Sequence, residues 1–171
     1  MFDKLFTPIT IKDMTLCNRI IMPAMGTRFT ENQHIAYHVT RARGGSALNI
    51  VEVSSVHALS APKMFLSIAE DKYIPKLKEL TDAIHAEGGK AGIQLWQGGL
   101  AVGMDQTVMI LLSSDTELAP GFTVPGISKE MIAEVWTATA RLLPAPWLPD
   151  STASSSTAPT TICYTPSCRM V

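Results

Sequence analysis

Several things are scarce in this sequence, and each shortage excludes a class of protein. Its 171 residues hold only three cysteines, Cys17, Cys163 and Cys168, which do not make a disulfide framework. Charge is sparse and balanced: 14 Lys+Arg against 15 Asp+Glu, a formal net charge of −1 and a pI near 6.4. That balance provides no basic footprint for nucleic acid or an anionic membrane. No apolar run approaches the ~20 residues of a membrane-spanning helix. Met1, Phe2, Asp3 and Lys4 carry neither the basic nor the apolar region of a secretory signal. A soluble, reducing, cytoplasmic setting is the expectation. What the chain does have is apolar content, 46%, which excludes wholesale disorder, and length for one domain with a real core.

Two textures follow one another along the chain. Apolar runs alternate with amphipathic stretches as far as Glu134. From Val135 onward only Arg141, Asp150 and Arg169 carry charge, and residues 150–161 are mostly Ser and Thr with Ala and Pro between. Pro144, Pro146 and Pro149 would break any helix continuing from Met131. Residues 1–134 are therefore expected to fold. Residues 135–171 are expected to be a disordered Ser/Thr/Pro-rich tail, because they cannot bury enough apolar area to offset chain entropy.

Within the first part, Leu5 to Ile11 and Thr15 to Asn18 flank Lys12-Asp13-Met14, which predicts a short hairpin. Arg19 to Met25 reads as a first core strand, Ala47 to Val53 as a second and Lys90 to Leu95 as a third. A helix is predicted over Asn32 to Arg43, stopped by Gly44-Gly45. Asp71 is expected to cap a second helix, with Ile74, Leu77, Leu80 and Ile84 on one face and Gly88-Gly89 as its stop. The stretch from Trp96 to Gly126 reads as a long loop, either functional or partly disordered. Ser128 is expected to cap a last helix through Glu134.

Strand, helix, strand, helix, strand predicts parallel pairing through right-handed crossovers. Near-continuous apolar strands predict a sheet covered on both faces. Doubly wound sheets and (β/α)8 barrels share this signature. A complete barrel takes about 250 residues, so there is room for only part of one.

Isolated chemical groups point to no site of their own. His34 and His38 stand at i, i+4, a spacing two metal ligands could use, but a third ligand is missing and solvent-facing helix positions are expected. His57 reads as a loop residue and His85 as a helix-surface residue. Cys163 and Cys168 lack a second pair, and Cys17 reads as a small strand hydrophobe. Gly44-Gly45, Gly88-Gly89 and Gly98-Gly99 are doublets, so the GxGxxG fingerprint of a dinucleotide fold is absent. Glu52, near a strand end, is open to two readings, a general base or a structural hydrogen-bonding group.

Longer motifs carry more. Leu5-Phe6-Thr7-Pro8, with Asn18-Arg19-Ile20-Ile21-Met22-Pro23-Ala24-Met25, resembles the opening of the Old Yellow Enzyme family of FMN-dependent reductases. The 2,4-dienoyl-CoA reductase and bile-acid-inducible reductase branch looks most similar. Ala36-Tyr37-His38 leading to Arg41-Ala42-Arg43-Gly44-Gly45 resembles the family's first barrel helix. Ile50 to Val56 resembles its second strand, and Ala91-Gly92-Ile93-Gln94-Leu95 with Gly98-Gly99 its third. The resemblance implies the N-terminal part, about three to four βα units, of a TIM barrel with FMN at the C-terminal mouth of its strands. It implies NAD(P)H as reductant and an enone or enoyl thioester as the small-molecule substrate. By the same resemblance, Pro23, Ala24, Met25 and Gly26 lie along the isoalloxazine, Val53 places its backbone beside the ring, and Gln94 bonds the pyrimidine edge. Gly26 stands where many members have Thr or Cys, and Gln97 where many have His.

The tail is expected to be a frameshifted translation. Reading its codons one base earlier permits YGKAAARAVAA from Thr139 and then GFDCIEFHGAHNYLLHSFL from Asp150. The second string resembles the family's fourth strand and its His-x-x-His/Asn segment, which in the family holds the substrate carbonyl. The later strands, whose loops hold the FMN phosphate, have no counterpart. The expectation is a truncated chain, weak or inactive as a reductase, with open sheet edges through which it could form oligomers. Rival readings are a non-catalytic α/β fragment and an edge-pairing interaction module.

Overall fold

The computed structural model describes residues 2–11, 14–61, 63, 66–97, 99, 109–140 and 162–163. The expectations placed on Lys12, Asp13, Gly98, Pro144, Pro146, Pro149 and Cys168 lie outside these residues. Strands β1 (Ile9–Ile11) and β2 (Met14–Leu16) pair antiparallel. Asn18 then fixes the entry to the main sheet. Its amide donates to the Gly45 carbonyl at 2.9 Å, and its Oδ1 accepts from the Ile20 N–H at 2.8 Å.

Three strands run parallel in the order β3 (Ile21–Met22), β4 (Leu48–Ser55) and β6 (Lys90–Trp96), and the short β5 (Leu66–Ser67) pairs with the end of β4. The expected first strand over Arg19 to Met25 shrinks to two residues, because Pro23 has no N–H for the ladder. Helix α1 (Glu31–Arg43) joins β3 to β4, and α2 (Ile74–Ala86) joins β4 to β6. Because the strands advance in one direction across the sheet, right-handed crossovers place both helices on the same face. A doubly wound sheet would split them between two faces.

The helix-side core follows from this. Ala42 of α1 and Leu80 and Ile84 of α2 pack on Val51 and Ala91. Leu77 joins Val56, Ile68 and Leu95 nearer the strand ends. Gly89 is required here by close approach, since an added Cβ would stand 3.0 Å from Ala42 Cβ and 3.2 Å from Ile84 Cγ2. Both helices stop on glycines in the left-handed region, Gly45 at φ 99° and Gly88 at φ 81°. Where the strands begin, the β1–β2 hairpin closes the sheet by packing Leu16, Ile9 and Met14 on Ala47, Leu48 and Ile50.

Several expectations change. Asp71 does not cap α2: it opens a 3-10 turn, Asp71–Tyr73, and α2 begins after it with no side-chain cap bond. Ile74, at the first position of α2, is 38% exposed, while Leu77, Leu80 and Ile84 are buried. The stretch after Trp96 contains a hairpin, β7 (Thr116–Ala119) and β8 (Phe122–Val124). Helix α3 (Lys129–Ala140) starts with the Met131 N–H on Ser128 Oγ and continues beyond Glu134. Its extra turn contains no proline, and the Thr137 and Thr139 hydroxyls bond back to the Ala133 and Val135 carbonyls. Finally β9 (Ile162–Cys163), within the expected tail, pairs antiparallel with β6. A strand edge with open N–H and C=O groups accepts such a partner.

Candidate functional site

The parallel strands all leave the sheet at the end opposite the hairpin, and the sequence-derived site residues gather there. Ile93 and Leu95 face the helices, so pleat alternation turns Gln94 to the other face. Val53 is the ladder partner of Gln94 and shares that face. Ile21 pairs with Leu48, which packs on the hairpin side, and Pro23 follows directly after the last residue of β3, Met22. Pro23, Met25 and Gly26 are exposed, while Ala24, Val53 and Gln94 are half-buried. Val53 and Gln94 therefore share one face at the strand ends, and Pro23 to Gly26 follow directly after β3 at the same end of the sheet.

Val53 reaches this position through an irregularity. Val51 pairs with Ile93 and Val53 with the very next residue, Gln94, so Glu52 is an extra residue in β4. Without the bulge, Glu52 would oppose Gln94 and Val53 would turn to the helices. With it, Glu52 is 2% exposed and faces α1. Glu52 Oε2 accepts from the Thr27 N–H and from Thr27 Oγ1 at 3.0 Å, and Oε1 lies 3.2 Å from His34 Nε2. His34 Nε2 also lies 3.0 Å from Thr27 Oγ1. Of the two readings of Glu52, the geometry favours the structural one: its carboxylate is turned away from the opening and fully engaged.

Two of the histidines correct the sequence reading. His34 and His38 are buried, not solvent-facing, and stack edge to face at 5.8 Å. Tyr37 carries Arg41 over its ring at 3.6 Å and donates to Met25 Sδ at 3.7 Å, so α1 supports the loop after β3. His57 is buried too. Its Nδ1 accepts from the Leu59 N–H at 3.3 Å, which leaves Nε2–H for Glu134 Oε1 at 3.2 Å and ties α3 to the end of β4. Cys17 is exposed beyond β2. Among the described residues no group of three or more His, Cys, Asp or Glu could hold a metal ion, and no helix is long and apolar enough to cross a membrane.

Burial, with repulsion from His34 and Arg41, lowers the His38 pKa from 6.5 to about 4. The unfolded chain then binds a proton more readily than the folded one. This contribution to stability is full above pH 6.5 and is lost as pH falls toward 4, by about 2 kcal/mol once partial solvent screening is allowed for. Urea unfolding at pH 7 and pH 4.5 tests it. His38→Gln, neutral throughout, is expected to lose less stability on acidification than the parent, and equal losses would remove His38 as the cause.

The residues at the opening suit a planar heteroaromatic ring. The Gln94 side-chain amide has no hydrogen-bond partner among the described residues, leaving both a donor and an acceptor for a ring edge that alternates N–H and C=O. A Cβ added at Gly26 would meet nothing within 4 Å, so the approach over the loop is open.

Comparison with known proteins agrees with this placement of the fold. The pattern that defines the NADH:flavin oxidoreductase / NADH oxidase family matches residues 4–121. An NADPH dehydrogenase of Listeria welshimeri serovar 6b is 40% identical over 105 residues, covering 57% of this chain and 31% of that protein. Histamine dehydrogenase from Rhizobium sp. 4-9 superposes with a TM-score of 0.69 at 24% identity, over 80% of this chain and 22% of that one. Old Yellow Enzyme from Pichia sp. AKU4542 gives 0.67 at 21% identity, over 79% and 40%. The architecture is thus part of a TIM barrel.

Proposed function

Because the chain belongs to the NADH:flavin oxidoreductase / NADH oxidase family, we propose that its strand ends form one wall of an FMN site in an NAD(P)H-dependent reductase of activated C=C bonds. What supports this reading is that Val53 and Gln94 are ladder partners at the exit end of the parallel strands, with Pro23 directly after β3 at the same end. When bound, FMN supplies hydride transfer from NAD(P)H to the β-carbon of an enone or enoyl thioester. The chain's own residues bind and orient. Pro23 to Gly26 offer backbone groups to the ring face and edge, Val53 closes the adjacent side, and Gln94 pairs with the pyrimidine edge.

Gel filtration after incubation with FMN tests the reading. The expected result is a yellow complex at one FMN per chain, with weak or no enone-dependent oxidation of NADPH or NADH when oxygen is excluded. A protein peak without colour at saturating FMN would overturn the flavin site for this chain and favour the non-catalytic fragment. A second reading rests on a different observation. Ile21 is 43% exposed, and among the described residues β3 is paired on one side only. Association through that edge into a discrete oligomer would appear in the same chromatogram as a concentration-dependent shift.

A further inference from the structure

We propose that Glu52 is a positioning residue: with His34 behind it, its carboxylate clamps the Thr27 end of the Pro23–Arg28 segment and so sets the shape of the opening. The proposal deepens the flavin reading and rests on it for the ligand, though the clamp itself is a property of the chain alone. Three independent features support it. First, the bulge in β4 frees Glu52 from the inner face and aims it at α1, a known use of bulges beside functional sites. Second, both carboxylate oxygens are engaged within a nearly dry pocket: Thr27 gives its backbone N–H and its hydroxyl, and His34, 3% exposed, stands at 3.2 Å. Charge-assisted bonds of this kind are short and directional, so they fix a backbone position as well as contributing attraction.

Third, the residue after Thr27 is strained. Arg28 has φ 56°, and it is the only non-glycine residue in the left-handed region among those described. A long side chain is held there only when its surroundings determine the backbone on both sides. On one side Thr27 is bound to Glu52. On the other, Phe29 packs edge to face on His34 and Tyr37, at 6.4 and 5.4 Å between ring centres. His34 therefore serves both anchors. The segment from Pro23 to Gly26 hangs between the β3 ladder and this clamp, and Met25 is steadied by Tyr37.

Limited trypsinolysis of the full chain without ligand reads the clamp directly, because Arg28 is exposed and lies beside it. Cleavage after Arg28 is compared with cleavage after Arg19 and Lys78, outside the loop. Glu52→Ala is expected to speed cleavage at Arg28 about tenfold with the other two sites unchanged. Glu52→Gln, which keeps an acceptor for Thr27, is expected to restore a rate near that of the parent. Should Glu52→Ala fail to fold by circular dichroism, Thr27→Val, which removes only the hydroxyl, is expected to give about a threefold rise at Arg28 alone. An unchanged rate at Arg28, or an equal rise at all three sites, would overturn the proposal. FMN fluorescence quenching forms a separate arm. If the parent binds FMN, Glu52→Ala weakens it about tenfold and Glu52→Gln does not. If the parent binds none, the flavin reading falls and the clamp is judged on cleavage alone.

Discussion

Replacing Ile84 with alanine is expected to destabilise the folded chain by about 4 kcal/mol, in the upper half of the range for truncating a fully buried aliphatic side chain. Ile84 is 0% exposed and sits where α2, α1 and the sheet meet, against Ala42, Val51, Leu80 and Ala91. The void could not collapse. Its walls are the hydrogen-bonded β4–β6 ladder on one side and Gly89, already in close approach to Ala42 and Ile84, on the other. Domains of this size have stabilities of about 5–15 kcal/mol, so the loss would be a large share of the total. Urea unfolding followed by circular dichroism measures it. Ile74→Ala, at a residue 38% exposed, is the control and is expected to cost under about 1 kcal/mol. Equal losses from the two variants would contradict the packing described.

The contrast between Ile84 and Ile74 also marks where sequence pattern stops being informative. Helical spacing identified Leu77, Leu80 and Ile84 correctly because their periodic burial is what the pattern encodes. Ile74 fits the spacing too, but the turn at Asp71–Tyr73 makes it the first residue of the helix, where it is left exposed. Periodicity leaves the barrel and the doubly wound sheet open; the motif resemblance points to the barrel, and the strand order, with both helices on one face, agrees with it. The β7–β8 hairpin went unread although Pro120-Gly121 is a turn signature; Gly121, at φ 76°, takes the conformation that dipeptide allows.

At the strand ends, the residues proposed to line the site lie in sequence motifs, and the groups that support them do not. Pro23 to Gly26, Val53 and Gln94 could be named because they lie in contiguous motifs. The bulge at Glu52 shifts register by one residue, and a run such as Ile50-Val51-Glu52-Val53 reads the same with or without it. On sequence alone His34 and His38 read as solvent-facing, because polar residues on a helix usually are. A signal did exist: His34, His38 and Ala42 follow one another at steps of four and form a single stripe, and Ala42 belongs to the core. Polar residues in a buried stripe imply a buried partner, which here is Glu52 for His34.

Gln94→Leu is the corresponding test of the opening itself, and a roughly hundredfold rise in the FMN Kd is expected. Leucine matches glutamine closely in size and suits a half-buried strand position, so the fold should change little. What disappears is the amide, whose donor and acceptor are the groups proposed to meet the pyrimidine edge. Leaving two ring polar groups facing a hydrocarbon costs about 3 kcal/mol in all, which is the hundredfold effect. Gln94→Glu separates hydrogen bonding from shape. It retains the acceptor and loses the donor, and it places a carboxylate against ring carbonyl oxygen, so its affinity should be no better than that of Gln94→Leu. Fluorescence titration of the parent and both variants, with circular dichroism as the fold control, gives the comparison. If the leucine variant bound FMN as tightly as the parent, Gln94 would be a strand residue of the inner wall with no part in holding the ring.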